Sequence, residues 1–317
     1  MKERRQASAF APASIGNLGV GFDMLGLAMA AVGDRVTARR TADGGVTVSE
    51  VFGLDGEPHP YLSREAGHNT ASIAAASLWH AAGAAGGLEL TVHKGIPLQS
   101  GMGSSAASAV AATVAANALL DEPLPPLELL AHALEGEKFA SGALHADNVA
   151  PCLLGGLVLC PPPLLPDCVQ LKTPEDVVSV VLHPHMQIDT ASSRRGLARG
   201  YTMEQWLAQQ GFLAAFVAAC ERQDVALMRR TLHDVVIEPQ RAPSVPCFAA
   251  VKEAALKADA IGCSLSGSGP SIFALCRATR AAHLVVAMEQ ACRTFGIGCE
   301  SWVSPMNAPG ARIEECA

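Results

Sequence analysis

Pro97-Leu98-Gln99-Ser100-Gly101-Met102-Gly103-Ser104-Ser105-Ala106-Ala107 decides the reading of this 317-residue chain. An alternating, strand-like run (Leu88 to Val92) precedes it, and an Ala-rich segment reaching Leu120 follows. Strand, Gly/Ser loop and helix together suit an anion. Gly101 and Gly103 carry no Cβ to block a close approach of backbone to phosphate. Ser104 and Ser105 fall at the predicted helix start, where hydroxyls and unpaired N–H groups converge. The helix dipole favours negative charge there by about 0.3–1 kcal/mol when exposed, and up to ~2 kcal/mol when partly buried. A Gly/Ser turn capping a buried helix has the same outline. The Lys-Ser/Thr ending of a Walker A loop is missing, and Lys94 lies before the glycines rather than after them.

Composition bounds the rest. Half the residues are hydrophobic and only 4% aromatic, so Ala, Val and Leu must fill the core. Charged residues are 17%, below the ~25% of an ordinary globular chain. A net charge of −7 argues against nucleic acid as the main partner. Any anion site must therefore gather positive charge locally. The ten cysteines are scattered singly, without Cys-x-x-Cys or zinc-finger spacing, which reads as reduced thiols in a cytosolic protein. Met1-Lys2-Glu3-Arg4-Arg5 is basic but no adequate apolar run follows it. The uncharged run from Ile96 to Leu120 is rich in Gly, Ser, Ala and Thr, so it reads as a buried helix and not a membrane span.

Along the chain, Ala7–Ala11 reads as a short strand before a polar loop, Pro12-Ala13-Ser14-Ile15-Gly16-Asn17-Leu18-Gly19-Val20-Gly21-Phe22-Asp23. Asn17 as a turn former and Asp23 as a cap are its simplest structural roles. Residues 34–40 and 45–51 alternate around Asp43-Gly44, a hairpin signal. After a loop from His59 to Gly67, His68-Asn69-Thr70 caps a helix to about Ala82. Asp121-Glu122-Pro123-Leu124-Pro125-Pro126 is a break, and a helix follows from Leu127 to about Ser141. Glu135 and Glu137 lie on it, about 200° apart around its axis. Ser141 to Pro151, containing His145-Ala146-Asp147-Asn148, reads as a polar connector. A buried strand at Gly155–Cys160 ends at Pro161-Pro162-Pro163, with a domain boundary near Pro161–Pro166. Val177–Leu182 is a further strand, and His183-Pro184-His185 reads as loop, since no third partner completes a metal pair. Thr190 to Leu197 carries Arg194 and Arg195. Helices are expected at Met203–Glu221, Asp224–Val236 (closed by Glu238-Pro239-Gln240-Arg241), Val245–Ala260 and Ala281–Phe295. Gly262 to Leu275 is strand, Gly/Ser loop, strand. A strand near Glu300–Val303 and a loose tail finish the chain.

Three of these strings, in this order, resemble the three motifs of the GHMP kinases (galactokinase, homoserine kinase, mevalonate kinase, phosphomevalonate kinase). They are the Pro12–Asp23 loop, the Pro97–Ala107 loop with Met102 where the usual form has Leu, and the Gly262–Leu275 segment. The resemblance covers essentially the whole chain. It implies an α+β, two-domain fold: a ribosomal S5 domain 2-like ATP-binding domain at 1–163 and a ferredoxin-like domain at 164–317, with the site in the cleft between them and strands exchanged. Within the superfamily, the Gly136-Glu137-Lys138 and His145–Pro151 strings, and two arginines, resemble homoserine kinases.

That resemblance implies transfer of phosphate from ATP to L-homoserine, on the route to threonine. Pro97, Gln99, Ser100, Gly101, Met102, Gly103, Ser104 and Ser105 would hold the phosphates. Glu137, with Ser104 or Ser105, would hold Mg²⁺, and the base would lie near the His68–Thr70 region. Asn17 would orient the substrate hydroxyl, with Asp147 an orienting residue and Asn148 a substrate contact at the same centre. Asp23 would take the ammonium, and Arg194 and Arg241 the carboxylate, with His145, Thr190 and Gly267 completing the substrate site. Arg194 is selected by counting from Thr190; Ala198 stands where the family has Pro. No catalytic base is required, because phosphoryl transfer gains mostly from positioning and charge neutralisation. The expected partners are the two small molecules, with no nucleic acid or membrane, in a cytoplasmic homodimer. The alternatives are a GHMP kinase for another small alcohol, such as a sugar or mevalonate, and a non-catalytic GHMP-like binding protein.

Overall fold

The computed structural model describes residues 4–142, 145–198 and 200–317. Met1–Glu3 of the basic start and Ala143–Leu144 before the His145 string lie outside the described residues. In chain order the elements are β1 (Gln6–Gly16), β2 (Leu25–Thr41), β3 (Gly45–Phe52), α1 (Thr70–Ala81), β4 (Gly87–His93), α2 (Ser104–Ala118), α3 (Pro126–Ser141), α4 (Ala146–Leu154), β5 (Leu157–Leu159), β6 (Val169–Leu171) and β7 (Val177–Pro184). There follow α5 (Thr190–Arg195), α6 (Met203–Glu221), α7 (Val225–Thr231), α8 (Glu238–Arg241), α9 (Phe248–Lys257), β8 (Gly262–Leu265), β9 (Ile272–Arg277), α10 (Ala281–Arg293), β10 (Cys299–Pro305) and β11 (Arg312–Cys316).

Two sheets organise these elements. The first runs β11-β1-β2-β4-β3, and β5 pairs with the start of β2 and carries β6. The second, β10-β7-β9-β8, is antiparallel throughout. Numbered within their own unit, its strands lie in the order 4-1-3-2 with helices after the first and third, the expected ferredoxin-like arrangement. Two strands that follow residue 163, β6 and β11, pair into the first sheet, so the sheets interleave along the chain.

Alanine sets the spacing of the N-terminal layer. Nine of the fifteen α2 residues, seven of them Ala with Val110 and Thr113, are packed without solvent contact, and Trp79 of α1 is also buried. Small side chains let α1, α2 and α3 approach closely, burying apolar surface at roughly 25 cal/mol per Å². Asn69 caps α1 by accepting from the Ala71 N–H at 3.0 Å. A second core, including Val180, Leu182, Phe248 and Met288, lies between the second sheet and α9 and α10.

Six local expectations change. The first strand continues to Gly16, because β2 offers it partners along its whole length. The Asp43-Gly44 turn joins β2 to β3, but these strands do not pair; β4 lies between them, antiparallel to β2 and parallel to β3. Alternation specifies a half-buried strand, not its neighbour, and α1 supplies the crossover that places β4 there. The connector expected after Ser141 contains a helix, α4. The helix from Asp224 stops at Thr231, where Asp234 turns the chain by accepting the N–H groups of Val236, Ile237 and Glu238 at 2.8–2.9 Å. The loose tail is β11, antiparallel to β1. His183 and Pro184 belong to β7 rather than to loop; His183 Nδ1 meets the Ser271 hydroxyl at 3.1 Å, and burial lowers its pKa to about 4. The ten cysteines are all free thiols, with Cys316 exposed. No helix among the described residues is long and apolar enough to cross a membrane.

Gly136 tests this close packing. A Gly→Ala change inside an open helix gains about 1 kcal/mol. Here the added methyl would lie 2.5 Å from the Thr70 carbonyl oxygen and 3.0 Å from the Ala109 Cβ. Gly136→Ala is therefore expected to destabilise by about 1–3 kcal/mol in urea unfolding, as overpacking does. A stability gain would contradict the spacing of α1, α2 and α3.

Candidate active site

A cleft of about 680 Å³ is lined by residues of both halves of the chain, and the three Gly-rich strings meet in it. The loop before α2 is held by its carbonyls. Gln99 O accepts from Ile188 N–H (3.1 Å), Ser100 O from Ser271 N–H (3.1 Å) and Met102 O from Ser14 N–H (3.1 Å). Gly101 O accepts from the Ser266 hydroxyl at 2.7 Å. At Gly101, φ is +76°, and a Cβ would stand 2.4 Å from Ser266 O and 2.7 Å from Gly269 O. Only glycine fits there. The helix that follows has no side-chain N-cap, and its first residues, Ser104 and Ser105, line the cleft, a place where an anion would be favoured.

Ser105, the second α2 residue, donates its hydroxyl to Glu137 Oε2 at 2.7 Å, whereas Ser104 directs its hydroxyl to the Ile96 carbonyl at 3.3 Å. Glu137 projects from α3 and is 6% exposed; Glu135, on the opposite side of the helix, faces solvent. A carboxylate beside a hydroxyl, at the mouth of an anion site, is a hard-oxygen donor set that fits Mg²⁺ with water and phosphate oxygens completing it. No group of three or more His, Cys, Asp or Glu side chains forms a closed metal cage among the described residues.

The loop between β1 and β2 builds the other end. Asn17 (φ +66°) and Asp23 (φ +58°) take left-handed backbone conformations that Asn and Asp tolerate better than most residues. Asn17 braces this turn with both ends of its amide: Oδ1 accepts from Asp23 N–H (3.0 Å) and Nδ2 donates to Gly267 O (3.1 Å). Its backbone N–H donates to Asp147 Oδ2 at 3.1 Å. Asp147 and Asn148 open α4. Ser14 donates its hydroxyl to Asn148 Oδ1 at 2.9 Å, placing Asn148 beside the start of α2. Burial, then the negative charge of Asp23, raises the Asp147 pKa to about 7 against the pull of the Asn17 N–H.

Asp23 is paired with Arg194 through the two terminal guanidinium nitrogens, one at 3.1 Å. His145 Nδ1 stands 3.5 Å from Asp23, and its buried Nε2 has no hydrogen-bond partner among the described residues. Burial lowers the His145 pKa, only partly opposed by Asp23. Arg241, on α8, donates to Gly267 O at 2.9 Å. Arg194 and Arg241 both lie over the Phe22 ring, 5.4 and 5.2 Å from its centroid, in cation–π contact. Phe22 was not singled out in the sequence; an aromatic between Gly21 and Asp23 in an aromatic-poor chain is the signal it offered. Thr190, at the start of α5, meets the Ser268 hydroxyl at 3.3 Å.

The remaining end of the cleft is bounded by His59 to Ser63, His68, Thr70 and Phe139. His59 Nδ1 accepts the N–H groups of Tyr61 and Leu62 at 3.2 and 3.1 Å and so shapes that loop. All the expected site residues therefore line one cleft except Pro97 and Met102; Met102 is buried in the core beneath the loop. The sequence reading also passed over a buried pair under the loop, Lys94 and Asp34.

Known proteins resemble this chain over nearly its whole length. The GHMP kinases N terminal domain family matches residues 69–156, and the GHMP kinases C terminal family matches residues 216–294. The chain is 46% identical to the homoserine kinase of Xanthomonas campestris pv. campestris over 311 residues, covering 98% of this chain and 94% of that protein. It is 44% identical to the homoserine kinase of Xylella fastidiosa strain M12, covering 97% and 94%. The crystal structure of homoserine kinase from Cytophaga hutchinsonii superposes with a TM-score of 0.92 at 40% identity, covering 99% of this chain and 98% of that one. The chain belongs to the GHMP kinases, with their two-domain fold, and within them to the homoserine kinase family.

Proposed function

We propose that this protein transfers the γ-phosphoryl group of ATP to the side-chain hydroxyl of L-homoserine, releasing ADP and O-phospho-L-homoserine. One observation carries the reading: an anion-binding helix start and a charge set matched to an amino-acid zwitterion share a single cleft. The 40–46% identity to homoserine kinases over nearly the whole chain supports it.

The roles follow from chemistry. The first-turn N–H groups of α2 and the loop backbone bind the triphosphate and hold it at one end of the cleft. Glu137 and Ser105 would hold Mg²⁺, which would supply neutralisation of the phosphate charge. Asp23 and Arg194, paired in this structure, trade partners with the substrate: the ammonium goes to Asp23 and the carboxylate to Arg194. Exchange of one ion pair for two keeps charge balanced, so little desolvation is left uncompensated. Arg241 adds a second planar donor set for the carboxylate. His145, whose Nε2 has no partner among the described residues, is a further substrate contact beside Asp23. Asn17, whose amide braces the turn, positions Asp23 and the Asp147 carboxylate; Asn148, next to the α2 start, is the group best placed to steer the acceptor hydroxyl. Thr190 and Gly267 close the amino-acid end, and the His59–Ser63 loop with Phe139 takes the base. Phosphoryl transfer then rests on alignment and charge neutralisation.

The first test is Mg²⁺-dependent ADP release with L-homoserine, D-homoserine, L-serine, L-threonine, mevalonate and galactose. Selective turnover of L-homoserine is expected. Turnover of another alcohol alone would reassign the substrate, and silence with every acceptor would leave a non-catalytic binding protein. Arg194→Leu removes a charge-assisted bond of roughly 1.5–3 kcal/mol, so the KM for homoserine should rise about tenfold or more while that for ATP holds. Unchanged homoserine saturation would remove Arg194 from the site. Asp147 gives a pH signature. Its folded-state pKa is raised to about 7, so the folded protein holds the proton more tightly than the unfolded chain. Its contribution to stability therefore declines as pH rises from about 4 to about 7 and is flat above. Asp147→Asn should remove that decline, gaining on the parent between pH 5 and pH 8 in urea melts; equal pH profiles would mean an ordinary carboxyl.

A further inference from the structure

Beneath the phosphate loop lies a buried ion pair that the reaction scheme above leaves unused. Lys94 immediately follows β4, and Asp34 lies on β2; their side chains are 4% and 0% exposed. Besides Asp34, the Lys94 ammonium donates to the Ser104 carbonyl at 2.9 Å and to the Ser108 hydroxyl at 2.7 Å. Asp34 Oδ1 accepts the N–H groups of Gly95 (2.9 Å) and Ile96 (3.3 Å), and Oδ2 accepts the Ser108 hydroxyl at 2.6 Å as well as the ammonium.

Building on the kinase reading, we infer that the Lys94–Asp34 pair is a positioning device for the nucleotide site, setting the start of α2 against the strand that leads into the phosphate loop. The β2–β4 ladder ends at Arg35 opposite His93. From that point the carboxylate takes the place of the next strand, receiving the two N–H groups that the turn toward Pro97 would otherwise leave unpaired. The ammonium then ties the same carboxylate to the first carbonyl of α2 and to a hydroxyl one turn further on. Ser104 and Ser105 are thereby fixed relative to Ile96, to which the Ser104 hydroxyl also points.

Two other roles fit the geometry less well. Lys94 and Ser108 reach the wall of the cleft, so a direct phosphate contact has to be considered. All three ammonium protons, however, already have acceptors inside the protein, and a phosphate ligand would have to abandon Asp34 in a buried site. Stability alone is a weak reason for the pair, because an apolar pair of similar volume commonly replaces a buried ion pair without loss. What such a pair does supply, when every donor and acceptor is used, is one defined geometry. A phosphate site depends on that geometry, since small misplacements of the binding groups are costly to transfer.

The test uses Asp34→Asn and the double variant Asp34→Leu/Lys94→Met. Each is compared with the parent by thermal melting, by calorimetric titration with the Mg²⁺ complex of a non-hydrolysable ATP analogue, and by steady-state kinetics. The double variant is expected to melt cooperatively yet bind the analogue about tenfold or more weakly. The KM for ATP should rise in parallel and that for homoserine should not. Asp34→Asn, which keeps Lys94 but weakens the hold on Gly95 and Ile96, should weaken nucleotide binding in the same direction. A cooperatively folded double variant with parental nucleotide affinity would overturn the inference. So would tighter binding in Asp34→Asn, the result expected if a released Lys94 serves the phosphates directly. If the double variant does not fold, Asp34→Asn decides by these same criteria. A parent that binds the analogue but does not phosphorylate homoserine would sink the substrate assignment while leaving the positioning role to be read from the titrations.

Discussion

Four consecutive carbonyls, Gln99 to Met102, are consumed by donors from three distant parts of the chain, and the rest of the site depends on that constraint. A loop whose carbonyls are tied to the scaffold presents its other face to solvent, next to the uncapped start of α2. The ties run to Ser14 at the end of β1, to Ile188 after β7, and to Ser266 and Ser271 around the turn from β8 to β9. The two sheets are thus joined by backbone hydrogen bonds at the place where phosphate is expected to sit. Backbone ties of this kind survive most side-chain changes, which suits a fold that hosts several acceptors.

Charge is arranged against the background of the chain. With a net charge of −7, no general field attracts ATP, so the positive elements are local: the helix start, Arg194 and Arg241. The carboxylates are equally concentrated. Asp23, Glu137 and Asp147 are near enough that the first and second contribute to raising the pKa of the third, after burial. Such crowding is costly in an empty cleft and is relieved by cations, whether the ammonium of an amino acid or a divalent ion. The Asp23–Arg194 pair partly offsets it here, with Phe22 as the shared platform for both guanidinium groups.

Much of this was legible in the residue string. The three Gly-rich stretches, the cap at Asn69, the helix start at Ser104, and the separation of Glu137 from Glu135 around one helix could be read locally, because each depends on spacing within one turn or one helix. The partner of a strand could not. Asp43-Gly44 between two alternating runs specifies a turn, yet β4 enters between β2 and β3. Residues 312–316 read as tail because this edge strand, paired only to β1, is exposed along its whole length and so shows no apolar alternation. The helix from Asp224 was overextended because apolar spacing continues past Thr231, while the Asp234 side chain diverts the backbone N–H groups into a turn.

The sequence by itself determined the kinds of chemistry available: a helix start suited to an anion, a hard-oxygen pair of Ser and Glu, two arginines, and an Asn-Asp turn. These are short strings whose physical properties are set by neighbours a few residues away. Only the tertiary structure decided how they combine. It chose Ser105 over Ser104 for Glu137, joined Asp23 to Arg194 across 171 residues, and brought Asn17 to the Gly267 carbonyl across 250. It also placed Asp34 on Lys94, 60 residues away, a pairing to which neither residue's surroundings point. Such contacts arise from the closing of two sheets on one another, and no local periodicity encodes which side chains will meet when they do.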